Sequence, residues 1–424
     1  MSTAFTAAHW SSQSNIYEVN LRQYTQEGTF RAFEGHLPRL RDMGIEILWF
    51  MPVTPISLEK RKGSLGSYYA CSDYCAVNPE FGSMEDFRSL VSQAHQLGFR
   101  VIIDWVANHT GWDHHWTREH PEYYARDPWG NFTERNGWDD VIDLDFGNSE
   151  MRTALIDAMQ FWITTCDIDG FRCDMAHLVP LDFWIQARST LQAPRELFWL
   201  AECEEISYHQ AFDATYTWKW MHQTEAFCRQ QAGLGSLWDT LKQYDSAFPP
   251  DALRAYYTSN HDENSWNGTE YEKYGAQAAC LAVFSCLWNG LPLIYSGQEL
   301  PNYKRLQFFD RDPIQWTGHC ALHGFYKGLL ALRRRNPALR SGDIQVRTYP
   351  LQTTAPEQVF SFCRQNGEHT VIVLLNFSAG PLSAGILDGQ WGGIYSNAMN
   401  GQQTRWVPGQ VVELDAHGYL ILEK

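Results

Sequence analysis

Four carboxylates stand just after short apolar runs: Asp104 after Val101-Ile102-Ile103, Asp174 after Gly170-Phe171-Arg172-Cys173, Glu202 after Phe198-Trp199-Leu200-Ala201, and Asp262 after Tyr256-Tyr257-Thr258-Ser259-Asn260-His261. Carboxylates gathered around one cleft repel one another, which raises some pKa values and lets one act as an acid while another stays ionised. Glycoside hydrolysis needs that division. Singly, each acid reads as a helix cap or a loop anchor; together, at equivalent places, they read as a site. Arg172, two residues before Asp174, points to the same strand face and can hold that carboxylate ionised by a charge-assisted hydrogen bond. His109 and His261 add neutral donors suited to sugar hydroxyls.

Acids that follow apolar runs belong at the C-terminal rim of a parallel barrel, where catalytic groups collect. Eight runs suit buried strands, at 15–24, 45–52, 99–105, 168–174, 197–203, 211–218, 254–260 and 291–295, and stretches of helical spacing separate them. Strands covered on both faces are continuously apolar, as Ile45-Glu46-Ile47-Leu48-Trp49-Phe50-Met51 nearly is. The predicted fold is therefore α/β, a (β/α)8 TIM barrel. Too many residues separate the third and fourth strands for one helix, so residues 110–148 read as an excursion above the barrel, a domain B. The catalytic barrel then spans 1–340. After Asn336-Pro337 come short strands with turn signals, Val359 to Arg364, Gln365-Asn366-Gly367, then Thr370 to Phe377, which predict an antiparallel C-terminal β-sandwich over 341–424. Arg333-Arg334-Arg335 reads as a solvated helix end.

Thirty-three Lys and Arg against 49 Asp and Glu give a net charge of −16. Such a polyanion is repelled by nucleic acid phosphates and anionic lipid, so neither nucleic acid nor membrane is an expected partner; a neutral ligand is. Met1-Ser2-Thr3-Ala4-Phe5 lacks a basic start and an apolar stretch, and the ten cysteines are scattered, several in apolar runs, which reads as a cytoplasmic chain. Asp113-His114-His115 lacks the further ligands a zinc site needs and reads as a polar loop.

In order along the chain, Asp104-Trp105-Val106-Ala107-Asn108-His109, Gly170-Phe171-Arg172-Cys173-Asp174-Met175-Ala176-His177, Ala201-Glu202 and Ser259-Asn260-His261-Asp262 resemble the four characteristic regions of the α-amylase family of glycoside hydrolases. Met51-Pro52-Val53-Thr54-Pro55-Ile56 and Gly290-Leu291-Pro292-Leu293-Ile294-Tyr295-Ser296-Gly297-Gln298-Glu299 extend the likeness over nearly the whole chain. The resemblance implies a retaining enzyme of α-glucans or maltooligosaccharides, with Asp174 as nucleophile, Glu202 as general acid/base and Asp262 as the third carboxylate. It implies substrate binding by Tyr69, His109, Arg172, His177 and His261, with Asp104 bracing the site. A transglycosylase of the same family, or an α-glucosidase acting on another linkage, is the alternative. His177-Leu178 stands where starch-cleaving members usually carry Lys-His, and Val141-Ile142-Asp143-Leu144-Asp145 resembles the α-1,4 version. The family's calcium would fall to Asn108, Asp143 and the Leu178 carbonyl; alternatively, Asn108 and Asp143 hydrogen-bond one another's loops.

Overall fold

The computed structural model describes residues 5–407 and 409–424; Met1-Ser2-Thr3-Ala4, on which the reading of an absent leader rests, lies outside them. Eight parallel strands close into a barrel: β1 (Ile16–Val19), β2 (Ile47–Phe50), β3 (Arg100–Trp105), β4 (Gly170–Cys173), β5 (Phe198–Ala201), β6 (Ala214–Thr215), β7 (Leu253–Tyr256) and β8 (Leu291–Tyr295), with β8 returning to β1. All strand residues except Arg100 are buried, as expected for a parallel sheet covered on both faces. Ile16, Ile47, Trp49, Ile102, Leu200 and Leu293 fill the barrel, and a larger apolar layer lies between the strands and the surrounding helices.

Register brings the chemistry together. Asp104 pairs with Arg172 across β3 and β4, and Cys173 pairs with Ala201 across β4 and β5, so Asp174 and Glu202 emerge side by side. The close fit begins at Gly170, whose φ is +152° and where an added Cβ would stand 1.9 Å from the Phe198 carbonyl oxygen. Only glycine lets the two backbones approach so closely. Seven of the eight strands are shorter than their apolar runs, and three of these shape the rim. β1 stops at Val19 and the chain turns into a short helix, Leu21–Tyr24; β6 keeps two of the eight residues in its run; β7 ends at Tyr256, freeing 257–262 to form the rim. Apolar character marks burial and not ladder pairing, so it overruns where the chain stays buried after leaving the sheet.

The excursion opens with His109–Gly111 paired antiparallel to Val141–Asp143. Toward the C-terminus lies a six-stranded antiparallel sheet that includes Val359–Asn366 and His369–Asn376, with Leu382–Gly385 and Val411–Leu414 forming a second, two-stranded sheet. Its Phe360 stacks on Trp238 of the barrel layer at a ring distance of 4.0 Å. One expectation is corrected here. Arg333 is no part of a solvated helix end: it is fully buried, and its guanidinium donates to the carbonyls of Ser12, Ser14, Cys286 and Gly290 and to Ser341 Oγ. Burial pushes its pKa down to about 10. The charge lies on the inner face of its helix, where a single arginine satisfies carbonyls that converge from the N-terminal segment and the loop before β8.

Candidate active site

At the C-terminal mouth of the barrel lies a cavity of about 440 Å³ whose wall includes Asp174, Glu202, Asp262, Tyr69, His109 and His261. Beneath it, Arg172 is fully buried and gathers the acids: its Nη1 donates to Asp104 at 2.7 Å and to Asp174 at 3.1 Å, while its Nη2 contacts Glu202 at 2.9 Å. Asp104 is likewise sealed from solvent. It accepts from Trp49 Nε1 and from the Tyr69 hydroxyl, each at 3.2 Å. Asp104 and Arg172 therefore lie under the cavity floor and position the groups in its wall. His177 is placed differently: it packs edge-on against Trp218 at 5.9 Å and lies outside this cavity's wall.

The acids differ in charge preference. Burial raises all three buried carboxyls; Arg172 opposes it, and mutual repulsion adds to it, leaving Asp104 at about 6, Asp174 at about 7 and Glu202 at about 8. These groups titrate as a linked set, raised together by burial and mutual repulsion. The Met175 amide donates to Glu202 Oε2 at 2.8 Å and fixes the carboxyl's direction.

The two histidines also separate, and one expectation changes. Burial lowers His109 to about 4, so it is neutral as expected. For His261 burial acts the same way, but the carboxylates Asp262 and Glu18 outweigh it and raise the pKa to about 9, so His261 is a cation and not a neutral donor. The hydrogen bonds agree: Nδ1–H donates to Glu18 Oε1 at 2.5 Å, Nε2–H meets the Tyr69 oxygen at 2.7 Å, and the Tyr69 O–H is left to donate to Asp104. Glu18 and Trp49 escaped the sequence reading. Both lie within apolar runs, and a carboxylate inside a buried strand, as Glu18 is, was the signal available.

A family model described as the alpha amylase catalytic domain matches residues 9–139 and 127–311. The chain belongs to the alpha-amylase family. It is 29% identical to the alpha-amylase MalA of Haloarcula japonica, covering 90% of this chain and 58% of that one, and 26% identical to the alpha-1,4-glucan:maltose-1-phosphate maltosyltransferase of Rhodospirillum rubrum, covering 86% and 57%. It thus spans somewhat over half the length of these relatives. Among solved structures, a noncanonic maltogenic alpha-amylase, AmyB, from Thermotoga neapolitana superposes with a TM-score of 0.89 at 29% identity, covering 97% of this chain and 99% of that one; an alpha-amylase from Lactobacillus plantarum gives 0.88 at 30% identity over the same shares.

The family's calcium is met by a donor set that does not suit it here. Asp143 Oδ1 accepts from Asn108 Nδ2 at 3.2 Å, and Asp143 Oδ2 accepts from Arg135 Nε at 2.9 Å. Both carboxylate oxygens are engaged by N–H donors, and a guanidinium supplies the positive charge that a hard cation would bring. Among the described residues no cluster of three or more His, Cys, Asp or Glu side chains is arranged to hold a metal, and no helix is long and apolar enough to cross a membrane.

Proposed function

We propose that this chain is a retaining glycosidase that cleaves α-1,4-glucosidic bonds of maltooligosaccharides or starch-derived glucans. The observation that carries the reading is geometric: Asp174 and Glu202 are held on one guanidinium, that of Arg172, and both face the cavity together with Asp262. In the first step ionised Asp174 attacks the anomeric carbon as the glycosidic C–O bond breaks, and the Glu202 proton passes to the departing oxygen. Loss of that proton leaves Glu202 a base. It then takes a proton from water as the water oxygen displaces Asp174 from the anomeric carbon, and two inversions give net retention. Asp262 and Asp174 face the positive charge that develops on the sugar ring. Arg172, held charged by the acids around it, limits the repulsion among them in both steps. Relatives named as alpha-amylases and as alpha-1,4-glucan maltosyltransferases support an α-1,4-glucan as substrate, and a neutral glucan suits a chain of net charge −16.

Replacing Asp174 by Asn tests the assignment. Turnover of maltopentaose should fall by about 10⁴-fold or more, roughly 5 kcal/mol of barrier, with an unchanged melting temperature. Near-normal turnover would refute the mechanism. Chromatography of the wild-type products separates hydrolysis from transfer, since oligosaccharides longer than the one supplied arise only when a sugar hydroxyl replaces water.

A further inference from the structure

Glu202 stands at the tip of β5, and the eight-strand order puts β1, flanked by β2 and β8, diametrically across the ring. Over that far side runs the loop 57–66, which follows β2 and is fastened in two directions. Toward the excursion, the Leu58 and Glu59 amides donate to Asp113 Oδ2 at 2.8 and 3.3 Å, and Lys62 Nζ lies 2.7 Å from Asp139 and 2.9 Å from Asp140. Toward the segment after β8, Ser64 donates its N–H and O–H to Asp310 Oδ1 at 2.8 and 2.6 Å, and the Leu65 amide donates to the Phe309 carbonyl at 3.0 Å. Gly63 sits at that seam with φ +61°, where a Cβ would stand 2.5 Å from the Phe309 Cβ. Glycine permits both the backbone conformation and the approach. The loop thus joins the excursion to the β8 segment as one wall, and Lys62, Asp140 and Phe309 from this wall line the cavity.

We propose that this wall closes the glycone end of the cavity and that the Lys62–Asp140 pair reads the free non-reducing end of the glucan, so that cleavage proceeds from chain ends. This rests on the glycosidase reading above. Because Glu202 protonates the departing oxygen, the leaving chain runs out over β5, and the retained sugars run the opposite way, into the wall. The cavity, about 440 Å³, falls in the lower part of the range of about 300–1,000 Å³ for small-molecule pockets, a size that suits a chain end. Lys62 has three N–H donors and gives two to Asp139 and Asp140, so one remains. A donor beside a carboxylate acceptor matches a terminal hydroxyl, which a glucose in mid-chain has already spent in its glycosidic bond.

The test compares 4-nitrophenyl maltoheptaoside with the same compound capped by a 4,6-O-ethylidene group on its non-reducing glucose, with products separated by chromatography. The wild-type enzyme should process the capped substrate about 100-fold or more below the free one in kcat/KM, since a site built to bond a hydroxyl rejects a substrate lacking it. In Lys62→Ala the gap should narrow about tenfold or more, mainly through a raised KM for the free-ended substrate. Cleavage of the capped compound by wild type within a few-fold of the free one overturns the closure, and an unchanged gap in a folded Lys62→Ala enzyme overturns the role of Lys62. No turnover of either compound overturns the glycosidase reading, and this inference with it.

Discussion

Replacing Glu18 by Gln keeps the shape and an acceptor oxygen but removes one of the two carboxylate charges that hold His261 protonated. His261 is raised from 6.5 to about 9, and an opposite charge in direct contact is worth about 1–3 pKa units. The variant's His261 should therefore titrate at about 6 to 8. A raised histidine pKa stabilises the fold fully below pH 6.5, and the contribution fades as pH climbs through the folded value. At 1.36 kcal/mol per unit, wild type loses about 3 kcal/mol from this group between those limits and the variant about 2 kcal/mol at most. Urea denaturation of both proteins at pH 6, 7.5 and 9 isolates the difference, and histidine C–H proton resonances report the titration directly. Activity follows, because cationic His261 lowers the pKa of Asp174; at pH 8 the variant loses that cation, so Asp174 takes up a proton more readily and turnover should drop more at pH 8 than at pH 6. A His261 that still titrates near 9, or equal pH dependence of stability in the two proteins, would refute the reasoning.

Glu202→Gln should slow maltooligosaccharide hydrolysis by about 10²–10⁴-fold, yet slow α-maltosyl fluoride much less, because fluoride leaves without a proton; equal losses would remove Glu202 from the acid role. The wild-type pH–rate profile should be bell-shaped, falling on the acid side as Asp174 gains a proton and on the alkaline side as Glu202 loses its own; a flat alkaline limb would contradict the assignment. Arg333→Met takes this donor from the Ser14 and Cys286 carbonyls and one of two donors from those of Ser12 and Gly290, which Ser341 also serves, and should cost about 3–5 kcal/mol in urea denaturation, the scale of removing one partner from a buried charged network; a change under about 1 kcal/mol would show the contacts to be idle. Because Arg135 already neutralises Asp143, prolonged chelation should leave turnover intact and the melting temperature within about 2 °C, whereas a larger fall, equivalent to about 1 kcal/mol for a chain this long, would restore calcium to the site.

The barrel and its acids were legible because parallel strands covered on both faces must be apolar, and an ionisable residue at the end of such a run stands out. Asp104, Asp174, Glu202 and Asp262 were found in that way. What escaped lay inside the runs or off them. Glu18 sits within β1, where the same apolarity that marks the strand hides its charge. The cation on His261 depends on its neighbour Asp262 and on Glu18, and the share owed to Glu18 could not be read without the contact across 243 residues. The burial of Arg333 follows from which side of its helix meets the barrel, and a run of three arginines looks the same from either side. Arg135, eight residues before Asp143, carries no local sign that it will fold back on that carboxylate. Lys62 belongs to a loop whose partners at 139–140 and 309–310 are set by the closure of the ring.

The central claim, that Asp174 and Glu202 act as a nucleophile and acid pair, is tested most directly by proton NMR of the enzyme acting on a linear α-1,4 maltooligosaccharide, with the anomeric signals followed through the first minutes. The mechanism predicts that the newly formed reducing end appears as the α-anomer and only then mutarotates. A β-anomer appearing first would mean single displacement by water, and Asp174 would then not be the nucleophile.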